Sequence, residues 1–196
     1  MVHCYGDAMN KTRVGQETAK LLIEAGAIQV SREQPFILAA GWASPVYVDV
    51  RLLIGEPAHR RRVIEAAAHY ATARLSSFAF DAVAGAETAG IAFSAWFAER
   101  MDLKLRYVRK RPLGIGRNAQ VEGGSVEGLH VLLMDDLTTD GGSKIAFARG
   151  LRAAGACVEH VLTIFYHDVF PGAGSRLSDA GLSLHALATW EDVLSA

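Results

Sequence analysis

The 196-residue chain is 51% hydrophobic and carries a formal charge of −1, which suits a single domain with a sizeable core and gives no global attraction to nucleic acid or an anionic membrane. Its two cysteines, Cys4 and Cys157, lie far apart without metal-ligand spacing, and no apolar run reaches the roughly 18 residues of a membrane span. With few cysteines and no secretory n-region and h-region, a reducing cytoplasm is the expected compartment.

Residues 1–10 show no periodicity, and residues 1–16 are expected to be a disordered leader to one domain over 17–196. The AKLLIEA pattern within 18–25 reads as an amphipathic helix ending at Gly26. Residues 36–38 and 46–50 read as short strands around the Gly41-Trp42 turn. Pro57 stands near the start of a long helix reaching about Leu75, with Arg60, Arg61 and Arg62 in its first turns. An apolar strand at 81–84 leads into a small-residue loop at 85–90 and a helix over 91–100. A strand at 105–108 then runs into a basic loop, and strands at 130–134, 158–165 and 182–187 complete the set.

Strands alternating with helices imply parallel βαβ units with right-handed crossovers. Runs such as VLLM and VLTIF suit strands buried on both faces. Ligands in such sheets bind beyond the carboxyl ends of the strands. The acidic pair after 130–134, the 85–90 loop and the basic loop all start at such ends, so three loops converge on one crevice.

Residues 130–143, HVLLMDDLTTDGGS, carry the strongest signal. The apolar run ends in Asp135 and Asp136, a turn of hydroxyls and glycines follows, and a helical pattern begins at Lys144. Unpaired N–H groups and the dipole at a helix N-terminus favour an anion. Gly141 and Gly142 allow close backbone approach, and the Thr and Ser hydroxyls can donate to phosphate. Two carboxylates would repel a phosphate unless they face sugar hydroxyls or a divalent cation, and Mg²⁺ is commonly held by one or two carboxylates plus substrate phosphates. The stretch therefore reads as a sugar-phosphate site with a metal. It is no Walker loop, and no GxGxxG opens a helix. An ordinary strand-to-helix turn shares the acids and glycines, but the full order of elements favours the phosphate site.

The motif MDDLTTDGGS resembles the phosphoribosyl-diphosphate motif of the type I phosphoribosyltransferases. FILAAGWASPVYVDVR, residues 36–51, resembles the LxSGxxSPxYxD segment of the orotate phosphoribosyltransferases, and YVRKRPLGIGRNAQVEG, residues 107–123, resembles their basic mobile loop. The likeness runs from about residue 17 to residue 193 and is close to a bacterial subgroup with an RKxPxGxGRNAQxEG loop. It implies an α/β fold of the type I phosphoribosyltransferase kind: a central, mostly parallel sheet flanked by helices, with a small N-terminal hood mainly in 17–51. It also implies a Mg²⁺-dependent transfer of a phosphoribosyl group from phosphoribosyl diphosphate to orotate, giving orotidine 5′-monophosphate and diphosphate in pyrimidine synthesis.

Under that resemblance Asp135 and Asp136 hold ribose hydroxyls, or a metal through water, and support an oxocarbenium-like centre. Mg²⁺ is bound mainly through the substrate, near the two acids. Leu137, Thr138, Thr139, Asp140, Gly141, Gly142 and Ser143 form the phosphoribosyl-diphosphate cradle together with Arg109 and Lys110. Thr139, Tyr47 and Val48 lie at the orotate, where Tyr47 can stack on a pyrimidine. Lys110 and Arg117 join the acids as catalytic groups. In the family the basic loop reaches the neighbouring subunit's site, so a homodimer is implied with Arg109 and Lys110 serving in trans.

The basic loop also stands on its own residues. Lys104, Arg106, Arg109, Lys110, Arg111 and Arg117 are accompanied by no acidic residue, and Pro112, Gly114 and Gly116 keep the stretch out of helix and strand. Such a loop suits closure over a polyanion, excluding water from a charged transition state. Two departures from the family fall here: many members carry lysine where Leu113 stands and histidine or an aromatic where Ile115 stands. The hood also lacks the family's lysine, since Ile37, Ala39 and Ala40 offer no cation. A phosphoribosyl-diphosphate-binding regulatory protein with weakened catalysis therefore remains an alternative, as does a phosphoribosyltransferase for another base. The seven histidines show no HxH or HExxH spacing and read as surface or core residues.

Overall fold

The computed structural model describes residues 3–38, 41–112 and 119–196, with residues 3–12 by backbone alone. Helix α1 (His3–Glu24) opens the chain, so residues 3–16 are helical where a disordered leader is expected. Val14, Thr18, Leu21 and Leu22 are buried, an i, i+4, i+7, i+8 stripe. That stripe starts a turn before residue 18, and the polar Thr18 within it hides the period from a sequence reading.

The hood follows. β1 (Ile28–Val30), β2 (Phe36–Ile37), β3 (Ala43–Ser44) and β4 (Val46–Val48) form two small antiparallel pairs, β1 with β4 and β2 with β3. A short helix α2 (Leu52–Gly55) leads to α3 (Pro57–Arg74), which has proline in its first turn as the sequence indicates.

The remaining elements are β5 (Ala82–Ala86), α4 (Ala89–Met101), β6 (Lys104–Val108), β7 (Val121–Glu122), β8 (Val131–Thr138), α5 (Gly142–Ala153), β9 (His160–Tyr166), α6 (Ala173–Asp179), β10 (Ser183–Thr189) and α7 (Trp190–Leu194). Six strands form one sheet in the order β10-β9-β8-β5-β6-β7, all parallel except the edge pair β6–β7. One face packs Leu132, Met134, Leu162 and Ile164 against α1, α3 and α4. The other packs Leu133 and Val161 against Phe147, Ala148 and Leu151 of α5 and Leu177 of α6. Burial of the sheet on both faces accounts for the continuous apolar runs. No helix among the described residues is long and apolar enough to cross a membrane.

The strand expected at 130–134 is longer. β8 continues through Thr138 because β9 extends beside it, placing Asp135 opposite Thr163, Leu137 opposite Phe165 and Thr138 opposite Tyr166. The acidic pair therefore sits inside a paired strand end rather than in a loop. Gly90, in the first turn of α4, fits this end closely: a Cβ there would stand 2.6 Å from the Met134 carbonyl oxygen and 3.0 Å from the Asp135 Cα. Absence of a side chain lets α4 lie directly over the acids.

Candidate active site

A cavity of about 350 Å³ opens at the carboxyl ends of the parallel strands, roofed by the hood. Asp135, Asp136, Leu137, Thr139 and Ser143 line it from β8 and the following turn, Lys110 from the base of the basic loop, and Tyr47 and Val48 from β4. Glu87, Thr88 and Ala89 bring the 85–90 loop to the same space. A larger groove, about 690 Å³, lies between α1 and α3, and none of the predicted site residues lines it.

Other predicted residues shape the site without lining it. The Thr138 hydroxyl is buried and has no hydrogen-bond partner among the described residues. Asp140 accepts the Gly142 N–H at 3.1 Å and an ion pair from Arg176 at 3.3 Å. Gly141, at φ 82°, takes the left-handed conformation at the N-cap of α5, where glycine costs least. Arg109 is held by Glu122 at 3.3 Å, Glu87 at 3.7 Å and the Tyr107 hydroxyl at 3.1 Å. Arg117, Leu113 and Ile115 lie outside the described residues, as do Ala39 and Ala40 of the hood.

The two acids differ. Asp135 is 6% exposed, forms a buried ion pair with Lys144 Nζ at 2.5 Å, and accepts the Asp136 N–H at 2.9 Å. Among the described residues Asp136 accepts only the Leu137 N–H, at 2.8 Å. Burial, and then the charge of Asp135, push its carboxyl up to about 7. One acid is thus neutralised by its own chain, while the other meets the cavity poorly compensated. Such a carboxyl ionises readily once a cation or developing positive charge arrives.

Three wall residues escaped the sequence reading. Lys144 looked like the start of a helix, yet a cation in the first turn opposes the helix dipole. That conflict was the available signal for a buried partner. Arg51 is held by Asp49, whose carboxylate favours the guanidinium's charge most, with Asp136 adding to it. His167 is 3% exposed, and burial lowers its ring to about 4, so it is neutral. The Trp190 Nε1–H donates to His167 Nδ1 at 3.2 Å. Indole nitrogen only donates, so the ring proton sits on Nε2. A capping box between Thr189 and Asp192 starts α7 and fixes Trp190 for this contact.

These values set a pH dependence for the ligand-free protein. Asp136 is raised from 3.8, so the folded state binds the extra proton between about 4 and 7, and this contribution to stability is lost as pH rises through 7. His167 is lowered from 6.5 to about 4 and works the other way: its penalty at low pH disappears as pH rises to 6.5. Melting temperatures of wild type and Asp136→Asn from pH 5 to 8 separate the two. The variant is expected to gain on wild type as pH rises from 5 to about 7 and to level off above it, and a pH-independent difference would remove Asp136 as the titrating group.

No family model matches the chain. A Roseobacter denitrificans protein named orotate phosphoribosyltransferase is 46% identical, the match covering 97% of this chain and 84% of that protein. One of the same name from Rhizobium meliloti is 46% identical over 95% of this chain and 80% of its own length. Among solved structures, the orotate phosphoribosyltransferase of Aeropyrum pernix is 30% identical with a TM-score of 0.76, covering 91% of this chain and 97% of that one.

Proposed function

The chain belongs to the orotate phosphoribosyltransferase family, with the type I phosphoribosyltransferase fold, and from that membership we propose that it joins orotate to phosphoribosyl diphosphate with Mg²⁺, in the cytoplasm and as a homodimer. The observation that carries this reading is the single cavity bounded by the acidic strand end, the N-terminus of α5, the 85–90 loop and the Tyr47 hood. In the reaction the bond from ribose C1′ to the diphosphate oxygen breaks, a bond to orotate N1 forms, and the N1 proton is released. Positive charge develops on the ribose and negative charge on the leaving group.

Each part of the cavity answers one of these demands. Asp136 lies where an ionised carboxylate stabilises the ribose cation. The backbone N–H groups at the start of α5, with Ser143 and Thr139, face the 5′-phosphate. Lys110 and the 85–90 loop take the diphosphate, and Tyr47 and Val48 cover the base. Neutral His167, with its proton on Nε2, is a donor on the cavity wall. Two adjacent acids, one left without a lysine, fit a divalent cation reached through water. The metal would come mainly with the substrate, near Asp135 and Asp136. Bound Mg²⁺ would offset charge on the diphosphate.

Chromatographic detection of orotidine 5′-monophosphate from orotate, phosphoribosyl diphosphate and Mg²⁺ tests the proposal. Consumption of a purine instead of orotate would overturn the base assignment. Leu113 and Ile115 favour one second reading, a protein that binds phosphoribosyl diphosphate with little turnover. A lysine ammonium stabilises departing diphosphate more in the transition state than in the ground state. Leu113→Lys is therefore expected to raise kcat about tenfold, roughly 1.4 kcal/mol of barrier. A silent Leu113→Lys beside a crippled Arg117→Ala would assign the charge to Arg117.

The dimer has its own test. Lys110 lines the cavity of its own chain and Arg109 does not, so Arg109 is the residue expected to serve a neighbour. Mixing Arg109→Ala with Asp136→Asn protein should restore part of the activity, since one site of the heterodimer is built from intact parts. No recovery after verified subunit exchange would place the loop's work within its own chain.

A further inference from the structure

Arg51 is a cation on the cavity wall that the phosphate-binding parts do not use. It stands at the N-cap of α2, directly after the hood. Its Nε donates to Asp49 Oδ1 at 2.6 Å and its Nη2 to Asp49 Oδ2 at 3.0 Å, the paired geometry of a guanidinium on a carboxylate. Nη2 also donates to the Tyr47 hydroxyl at 3.1 Å. Asp49 is the more buried partner, with 18% of its side chain exposed against 54% for Arg51, so the carboxylate anchors the guanidinium. Nη1 makes no hydrogen bond among the described residues.

The other cations compare poorly as receptors for a second anion. Lys144 is locked onto Asp135, Arg109 does not line the cavity, and Lys110 stands by Glu87 at the diphosphate loop. Arg51 alone is joined to the hood aromatic. An anion on Nη1 would lie at the edge of a ring stacked against Tyr47. Orotate carries its carboxylate on the ring carbon next to N1, at such an edge. The guanidinium keeps its charge at any working pH, and the Asp49 clamp removes much of the rotamer freedom that binding would otherwise cost.

Resting on the transfer reading above, we propose that Arg51 is the specificity residue for the base: it receives the orotate carboxylate and distinguishes orotate from uracil, which lacks that group. Asp49 and Tyr47 act as positioning residues that aim the guanidinium.

Isothermal titration of orotate, uracil and phosphoribosyl diphosphate into wild type, Arg51→Gln and Arg51→Lys tests this, with circular dichroism verifying the fold. Arg51→Gln is expected to weaken orotate by about ten- to hundredfold and to leave uracil and phosphoribosyl diphosphate within about twofold of wild type. Arg51→Lys, a point charge without the fork, should fall between. If Arg51→Gln instead weakens phosphoribosyl diphosphate and spares orotate, Arg51 serves the diphosphate and the proposal is wrong. Equal weakening of orotate and uracil overturns it as well, because the carboxylate is then not what Arg51 reads. Wild-type protein that binds neither orotate nor phosphoribosyl diphosphate would overturn the transfer reading itself, a result distinct from both.

Discussion

Asp136→Asn is expected to lower kcat by about a hundredfold, the usual order for removing one electrostatic group aimed at developing charge, while the protein stays folded. Among the described residues Asp136 accepts one backbone hydrogen bond, at 2.8 Å, and forms no ion pair, so Asn keeps its shape and strands no partner. Burial and the neighbouring Asp135 make its charge costly and push the carboxyl up to about 7. A ribose cation reverses that balance: the same low-dielectric surroundings that penalise a lone carboxylate strengthen its attraction to positive charge. The effect should therefore fall on kcat more than on substrate binding. Asp135→Asn must be read separately, since it also removes the partner of Lys144. Single-turnover rates for the two variants decide the matter. An Asp136→Asn enzyme with wild-type turnover would dismiss this carboxylate from the chemistry.

The parallel sheet was legible because VLLM and VLTIF are too apolar for strands with a solvent face, and their spacing leaves room for the helices between them. The positions of Asp135, Asp136, Thr139 and Ser143 were legible for a related reason, since a strand end followed by a glycine turn and a helix start can place them at only one end of a sheet. The limits were equally physical. Thr18 breaks the apolar stripe of α1, so the local pattern marks the helix only from about residue 18. β8 was cut at Met134 because acids rarely occupy buried strands, and only the neighbouring β9 shows that pairing continues to Thr138. Partnerships across the fold left no local trace: His167 and Trp190 are 23 positions apart, and their contact depends on how α7 turns after β10. Arg51 and Asp49 are close in sequence, but only the fold of the hood shows that Arg51 reaches the cavity wall near Asp136.

Lys144→Met should destabilise the protein by about 3–5 kcal/mol, a fall in Tm of about 6–20 °C for a chain of this size. The ion pair is nearly sealed, with side-chain exposures of 4% for Lys144 and 8% for Asp135. Methionine nearly matches the lysine stem in volume, so lost packing contributes little and the cost is that of a stranded buried charge. The double variant Lys144→Met/Asp135→Asn should regain most of the loss, because Asn still accepts the Asp136 N–H and no charge remains to be compensated. Additive losses would show instead that each side chain matters through other contacts, such as the one from Lys144 to the Ser143 hydroxyl at 3.1 Å. Activity need not follow stability: Lys144 also faces the cavity, so a refolded but inactive double variant would mean that the pair holds Asp135 for the chemistry as well as for the fold.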